Sequence, residues 1–103
     1  MPGDPGWTLR EQESARLKEE MCGRLNSLTP GQRIRHLRLV MGWSQRRAAA
    51  EMGIGRRTLI RHEQGQYGSR WTRVAMFMRL RELESEHVQQ LVAYWARDGR
   101  LPI

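Results

Sequence analysis

Residues 44–65 read SQRRAAAEMGIGRRTLIRHEQG, and this stretch predicts two short helices joined by a tight turn. Ser44 is a strong N-cap candidate, because its hydroxyl can accept from the unpaired N–H groups of a first helical turn. Gln45 to Met52 contains Ala48, Ala49 and Ala50, which are small and helix-favouring. Gly53 is expected to end that helix, where a residue without Cβ turns the chain at positive φ. Gly55 can open the second helix, which continues from Arg56 to Gln64 until Gly65 stops it. So short a connection makes the two helices cross steeply, and Ala48 and Ala49 let them approach closely. The second helix carries Arg56, Arg57, Thr58 and Arg61, with Arg57 and Arg61 one turn apart on one face. A short guanidinium-bearing helix propped on a partner helix suits the major groove of DNA.

From Pro30 to about Leu83, roughly half the chain, the sequence resembles the lambda-repressor and Cro type of helix-turn-helix domain. The residues that carry the resemblance are Ile34, Leu37 and Arg38, then Gly42-Trp43-Ser44-Gln45, Gly53-Ile54, Thr58-Leu59, Glu63 and Gly65. The resemblance implies that Gln45 grips a phosphate and that Arg56, Arg57 and Arg61 read bases. It also implies a buried ion pair between Arg38 and Glu63. Two positions depart from the pattern: His62 stands where an aliphatic core residue is usual, and Ile60 where a polar one is usual. The SQRRAA segment is also similar to regulators encoded beside anti-CRISPR genes in phages.

The chain has 103 residues and a formal net charge of +7, enough for one small domain with extensions. Its cations are 17 arginines and the single Lys18. Residues 33–81 hold 12 arginines against Glu51 and Glu63, whereas the segments before and after are slightly acidic. A basic middle between near-neutral flanks suits a polyanion-binding surface. Cys22 is alone, which excludes a disulfide framework or a cysteine-based zinc set. His36, His62 and His87 lack metal-ligand spacing. No apolar run approaches a membrane span and MPGDPGW is no signal core, so a cytoplasmic location is expected.

The expected organisation is all-α. A flexible N-terminus occupies 1–7 and an extra helix 8–28, opened by a Thr8/Glu11 capping box. The helix-turn-helix domain spans 29–84, a C-terminal helix 85–98 and a tail 99–103. In the extra helix, Leu17, Met21, Cys22, Leu25 and Leu28 fall on one side, to cover the domain's own core or to pair with a second copy; the first is favoured. Thr29-Pro30-Gly31-Gln32 forms a second capping box with Pro30 at the first helical position. Ile34, Leu37 and Met41 make the next inner stripe, while Arg33 and Arg35 are expected to face out. Trp43 is expected to plug the core. From Trp71 to Leu83, Trp71, Val74, Ala75 and Met78 form one stripe, with Phe77 and Leu80 beside it. Ser85 is expected to cap a last helix, Glu86 to Arg97, ended by Gly99. Val88, Leu91, Val92 and Trp95 line its apolar side and are the candidate homodimer surface, with core packing as the alternative.

Nothing in the sequence forms a catalytic constellation, so no enzyme activity, cofactor, metal or small-molecule effector is expected. The reading is a sequence-specific regulator of transcription that binds double-stranded DNA, acting as a homodimeric repressor of phage or mobile-element origin. Arg56, Arg57, Thr58 and Arg61 are the candidate base readers. Ser44, Gln45, Arg46, Gly55, Ser69 and Arg70 are the candidate phosphate contacts. An arginine can donate twice to guanine O6 and N7, so G-containing half-sites in an inverted repeat are expected. An antitoxin-type protein that binds a partner protein and its own operon is the alternative. RNA binding through the arginine-rich face is a third reading.

Overall fold

The computed structural model describes residues 9–98, and all six elements among them are helices: α1 (Leu9–Leu25), α2 (Pro30–Met41), α3 (Gln45–Met52), α4 (Arg56–Glu63), α5 (Arg70–Glu86) and α6 (Val88–Asp98). The Thr8 capping position, the Gly99 stop and the expected terminal segments lie outside the described residues. No described helix is long and apolar enough to cross a membrane.

Local sequence explains most of the boundaries. Thr29 and Gln32 form the expected capping box of α2: the Thr29 hydroxyl accepts from Gln32 N–H, and the Gln32 side chain accepts from Thr29 N–H at 2.9 Å. Ser44 caps α3 by accepting from Arg47 N–H at 3.1 Å. Ser69, expected from the sequence only as a phosphate contact, caps α5 by accepting from Thr72 N–H.

The last boundary differs from expectation. Ser85 does not cap α6 but lies within α5, which continues to Glu86. Ser85 is surrounded by good helix formers, Glu82, Leu83, Glu84 and Glu86, and their propensity outweighs one residue's preference for a cap. The break comes at His87, whose N–H still bonds to Leu83 O while its own carbonyl accepts from Leu91 N–H. The His87 ring stands edge-on to Trp43, 5.3 Å between centroids.

Helix α2 is the centre of the packing, in contact with α4, α5 and α6, while α1 lies against α6. Ile34 and Leu37 of α2 are buried with Leu59 of α4, Leu80 and Leu83 of α5, and Leu91 and Trp95 of α6. Met21 and Leu25 of α1 join the same core, so the extra helix covers the chain's own interior. Cys22 is exposed, not on the inner side.

The sequence did not mark His36 as a core residue, yet it is 1% exposed and neither ring nitrogen has a hydrogen-bond partner among the described residues. Burial, with help from the nearby Arg33 guanidinium, lowers its pKa from 6.5 to about 4. Burial lowers that of His62 as well. Below pH 6.5 the unfolded chain therefore binds protons that the folded chain refuses. The histidine contribution to stability is full above about 6.5, falls as pH drops toward 4, and levels off below. For His36 the whole window corresponds to roughly 3 kcal/mol. Urea unfolding at pH 7.5 and 4.5 should show this loss, and His36→Leu should flatten most of the slope. An undiminished slope in the variant would assign the acid sensitivity to other groups.

Candidate nucleic-acid interface

The α3–turn–α4 unit is built as its glycines and small residues predict. Gly53 adopts φ 73°, where a Cβ would be strained. Its N–H bonds to Ala50 O at 3.1 Å, and Ile54 N–H reaches back to Ala49 O at 3.0 Å. These paired bonds satisfy the last carbonyls of α3 and let the chain reverse at once. Gly55 is the N-cap of α4, and no side chain caps the helix there. Ala48 and Ala49 are buried, and α3 lies against α4.

Two tethers hold α4 and the loop after it on α2. Arg38 and Glu63 form a two-point ion pair, Nε–Oε2 2.9 Å and Nη2–Oε1 3.1 Å, with both side chains largely buried. Gly31 N–H donates to Tyr67 Oη at 3.1 Å. Gly31 is buried directly beneath the His62 carbonyl, so α2 and α4 touch backbone to backbone. His62 is itself buried, its ring tilted against Tyr67 at 5.9 Å. The departure at this position is thus accommodated inside the core, although His62 Nδ1 has no partner among the described residues.

On this support the candidate base readers point away from the core. Arg56, Arg57 and Arg61 are exposed and Thr58 is half-buried. Arg56 Nη2 lies 3.4 Å from Gln45 Oε1, so the starts of α3 and α4 come together. Arg46, Gly55, Ser69 and Arg70 are exposed as well, and Gln45 is half-buried. Ser44 and Ser69 spend a hydroxyl lone pair on capping. A hydroxyl also has a proton to donate.

The division of the arginines into paired and unpaired is the main electrostatic feature. Arg33, Arg38, Arg47 and Arg79 each pair with a carboxylate. Among the described residues, no carboxylate pairs with the five candidate DNA contacts Arg46, Arg56, Arg57, Arg61 and Arg70, nor with Arg35, Arg73 and Arg81 of the same basic middle or Arg16, Arg24 and Arg97 outside it. Three of these five are on α4, so the short helix presents three uncompensated guanidinium groups to solvent.

Several functional and structural placements escaped the sequence. Arg33, expected outside, instead pairs with Glu84 of α5 through both Nε and Nη2, its guanidinium 5.2 Å from the Phe77 ring. The available signal was Glu84 itself, which follows Leu80 and Leu83 at helical spacing on the inner face. Arg79 donates to the Glu51 carbonyl at 2.9 Å and so closes the C-terminal end of α3. The α6 surface expected to pair two copies is largely consumed within the chain. Leu91 and Trp95 are 1% and 3% exposed, and Val88 and Val92 pack beside them. Contacts with α1 and α2 account for this, because those helices close over the apolar side of α6.

The expected α5 stripe forms one face, and the structure shows which way that face turns. Trp71, Val74, Ala75 and Met78 face solvent, whereas Met76, Leu80 and Leu83 face the core. Among the described residues no group of three or more histidine, cysteine or carboxylate side chains is placed to hold a metal. No protein-family model, curated protein or solved structure matches this chain.

Proposed function

We propose that this protein is a sequence-specific regulator of transcription that binds double-stranded DNA with α4 as the recognition helix. The observation that carries the reading is the set of exposed, unpaired arginines on α4, set beside an α3 N-terminus that bears Gln45. The domain is read as a helix-turn-helix of the lambda-repressor and Cro type, with α3 and α4 as the paired helices. Arg57 and Arg61 read guanine edges, Arg56 and Thr58 adjacent positions. Gln45, Arg46, Arg70 and the capping serines hold phosphates. Three or four base pairs read by one helix are too few for a genomic address, so two copies act on an inverted repeat with half-sites about one helical turn apart or a multiple of it. The action is repression by occluding a promoter, and the source a phage or other mobile element.

Binding to a GC-containing duplex, titrated against salt, tests the interface. Arg57→Ala and Arg61→Ala should each weaken binding about 10- to 100-fold, in line with about 1–3 kcal/mol per bidentate base contact. Affinity should also fall steeply with salt. Both variants binding as tightly as the parent would remove α4 from the interface. Stronger retention on duplex RNA than on duplex DNA would favour the RNA reading.

A further inference from the structure

A pocket of about 400 Å³ opens between α4 and the start of α5. Thr58 and Arg61 line its α4 side, Thr72 its α5 side, and Tyr67 and Gly68 the loop between them. Its walls offer a guanidinium and three hydroxyls, and no carboxylate lines it. Tyr67 Oη already accepts from Gly31 N–H at 3.1 Å, which leaves its own proton to donate. Such a lining suits an oxyanion the size of a phosphodiester.

His62 lines the same pocket, and a simple anion site would not need it. The residue is 2% exposed, and Nδ1 has no partner among the described residues. Burial lowers its pKa, so the ring is neutral at pH 7 in the free chain. The unengaged charges on the surrounding elements are cationic. Helix α4 brings Arg56, Arg57 and Arg61, and its one carboxylate, Glu63, is held by Arg38 of α2. Helix α2 contains no acid, and its Arg35 lies at helical spacing between Gly31 and Arg38. Arg33 and His36 turn instead to Glu84 and to the Tyr94 ring. Glu51 of α3 is held by Arg47. Residues 70–78 of α5 bring Arg70 and Arg73 and no carboxylate, with the Arg73 guanidinium 5.4 Å from the Tyr67 ring. The charge that could stabilise an imidazolium here must therefore come from outside the described chain.

We infer that this pocket seats a backbone phosphate of the bound duplex and that His62 becomes protonated as it does so, making DNA binding proton-linked. The inference rests on the DNA-binding reading, in which α4 enters the major groove and the phosphates that wall the groove pass along its flank. A negative charge within about 4–6 Å favours the charged imidazole, and a phosphate oxygen supplies a hydrogen-bond acceptor. The proton moves from water or buffer to a ring nitrogen, and no other bond changes. Affinity therefore rises as pH falls through the range where only the complex is protonated, and levels off once the free chain is protonated too.

Titration calorimetry of the full chain with a GC-containing duplex, at fixed salt from about pH 8 to about pH 6 and in buffers of different ionisation enthalpy, counts the protons. The parent should bind about tenfold more tightly at the acid end, equivalent to about half a proton per protomer averaged over the interval. His62→Leu, with the aliphatic side chain usual at this position in the helix-turn-helix pattern, should lose that dependence. Ring-nitrogen NMR shifts give a second readout on the parent itself, independent of how the variant folds. The His62 nitrogens should move from neutral to imidazolium values when the duplex is added near pH 7. Equal affinity across the interval, an equal pH dependence in His62→Leu, or a His62 ring that stays neutral in the complex would overturn the inference and leave DNA binding by α4 standing. No binding to the duplex at either pH would remove the DNA-binding reading, and this inference with it.

Discussion

Gly31→Ala should be among the most destabilising single substitutions in this protein, costing about 3 kcal/mol or more. Gly31 is in the first turn of α2, buried against the backbone of α4. A methyl group built there falls well inside contact distance of the His62 carbonyl oxygen and lies 3.2 Å from Tyr67 Oη. The obstacle is main chain, which cannot step aside as a flexible side chain would. Helix α2 must then move off α4, and the Gly31–Tyr67 hydrogen bond is lost with it. Overpacking ordinarily costs about 1–3 kcal/mol, and contact with rigid backbone belongs at or beyond the top of that range. In a small domain whose whole stability is about 5–15 kcal/mol, the variant should melt many degrees lower. Thermal unfolding checks it; a change under 1 kcal/mol would mean that α2 and α4 are not in backbone contact.

Glu63→Ala should be of similar size, about 3–5 kcal/mol, for an electrostatic reason. The Arg38–Glu63 pair is largely desolvated, with side chains 15% and 9% exposed. Removing the carboxylate leaves the guanidinium in place without its two acceptors. Stranding one member of a buried pair costs more than the pair contributes when intact. Arg38→Met together with Glu63→Leu removes both charges and should recover much of the loss. If the double substitution is as unstable as Glu63→Ala, the cost lies in packing rather than in the stranded charge. The contrast with Arg47–Glu51 is instructive: that i,i+4 pair is more exposed at the arginine, and breaking it should change stability by less than 1 kcal/mol.

The features legible in the sequence were those decided within a few residues. The Thr29/Gln32 box, the Ser44 cap, the Gly53 turn and the alanines of α3 each act locally, so spacing and residue type were sufficient. The Arg38–Glu63 pair spans 25 residues, and the resemblance supplied it. The fold's all-helical character followed from the same local signals.

What could not be read depended on contacts across the chain. Helix α5 is apolar on two sides, and a helical wheel cannot say which side meets the core. The choice is made by Leu80 and Leu83 at the core and by Arg33 reaching Glu84 from 51 residues away. The same pair turns Arg33 from an expected surface cation into an interior one. His36 lies beside Leu37 on a helix whose buried arc is wider than the hydrophobic residues alone indicate. In α6 the apolar residues were visible, but whether they served a core or a partner depended on where α1 came to rest. The arginines of α4 were legible as a cluster; that they remain without carboxylate partners is a three-dimensional fact.

Selection of bound duplexes from a random library, with Arg57→Ala in parallel, tests DNA recognition by α4 most directly. The expected result is a two-fold symmetric motif with G-containing half-sites about one helical turn apart or a multiple of it, lost or degenerate in the variant. Enrichment of no motif, or of the same motif by the variant, would contradict sequence recognition through α4.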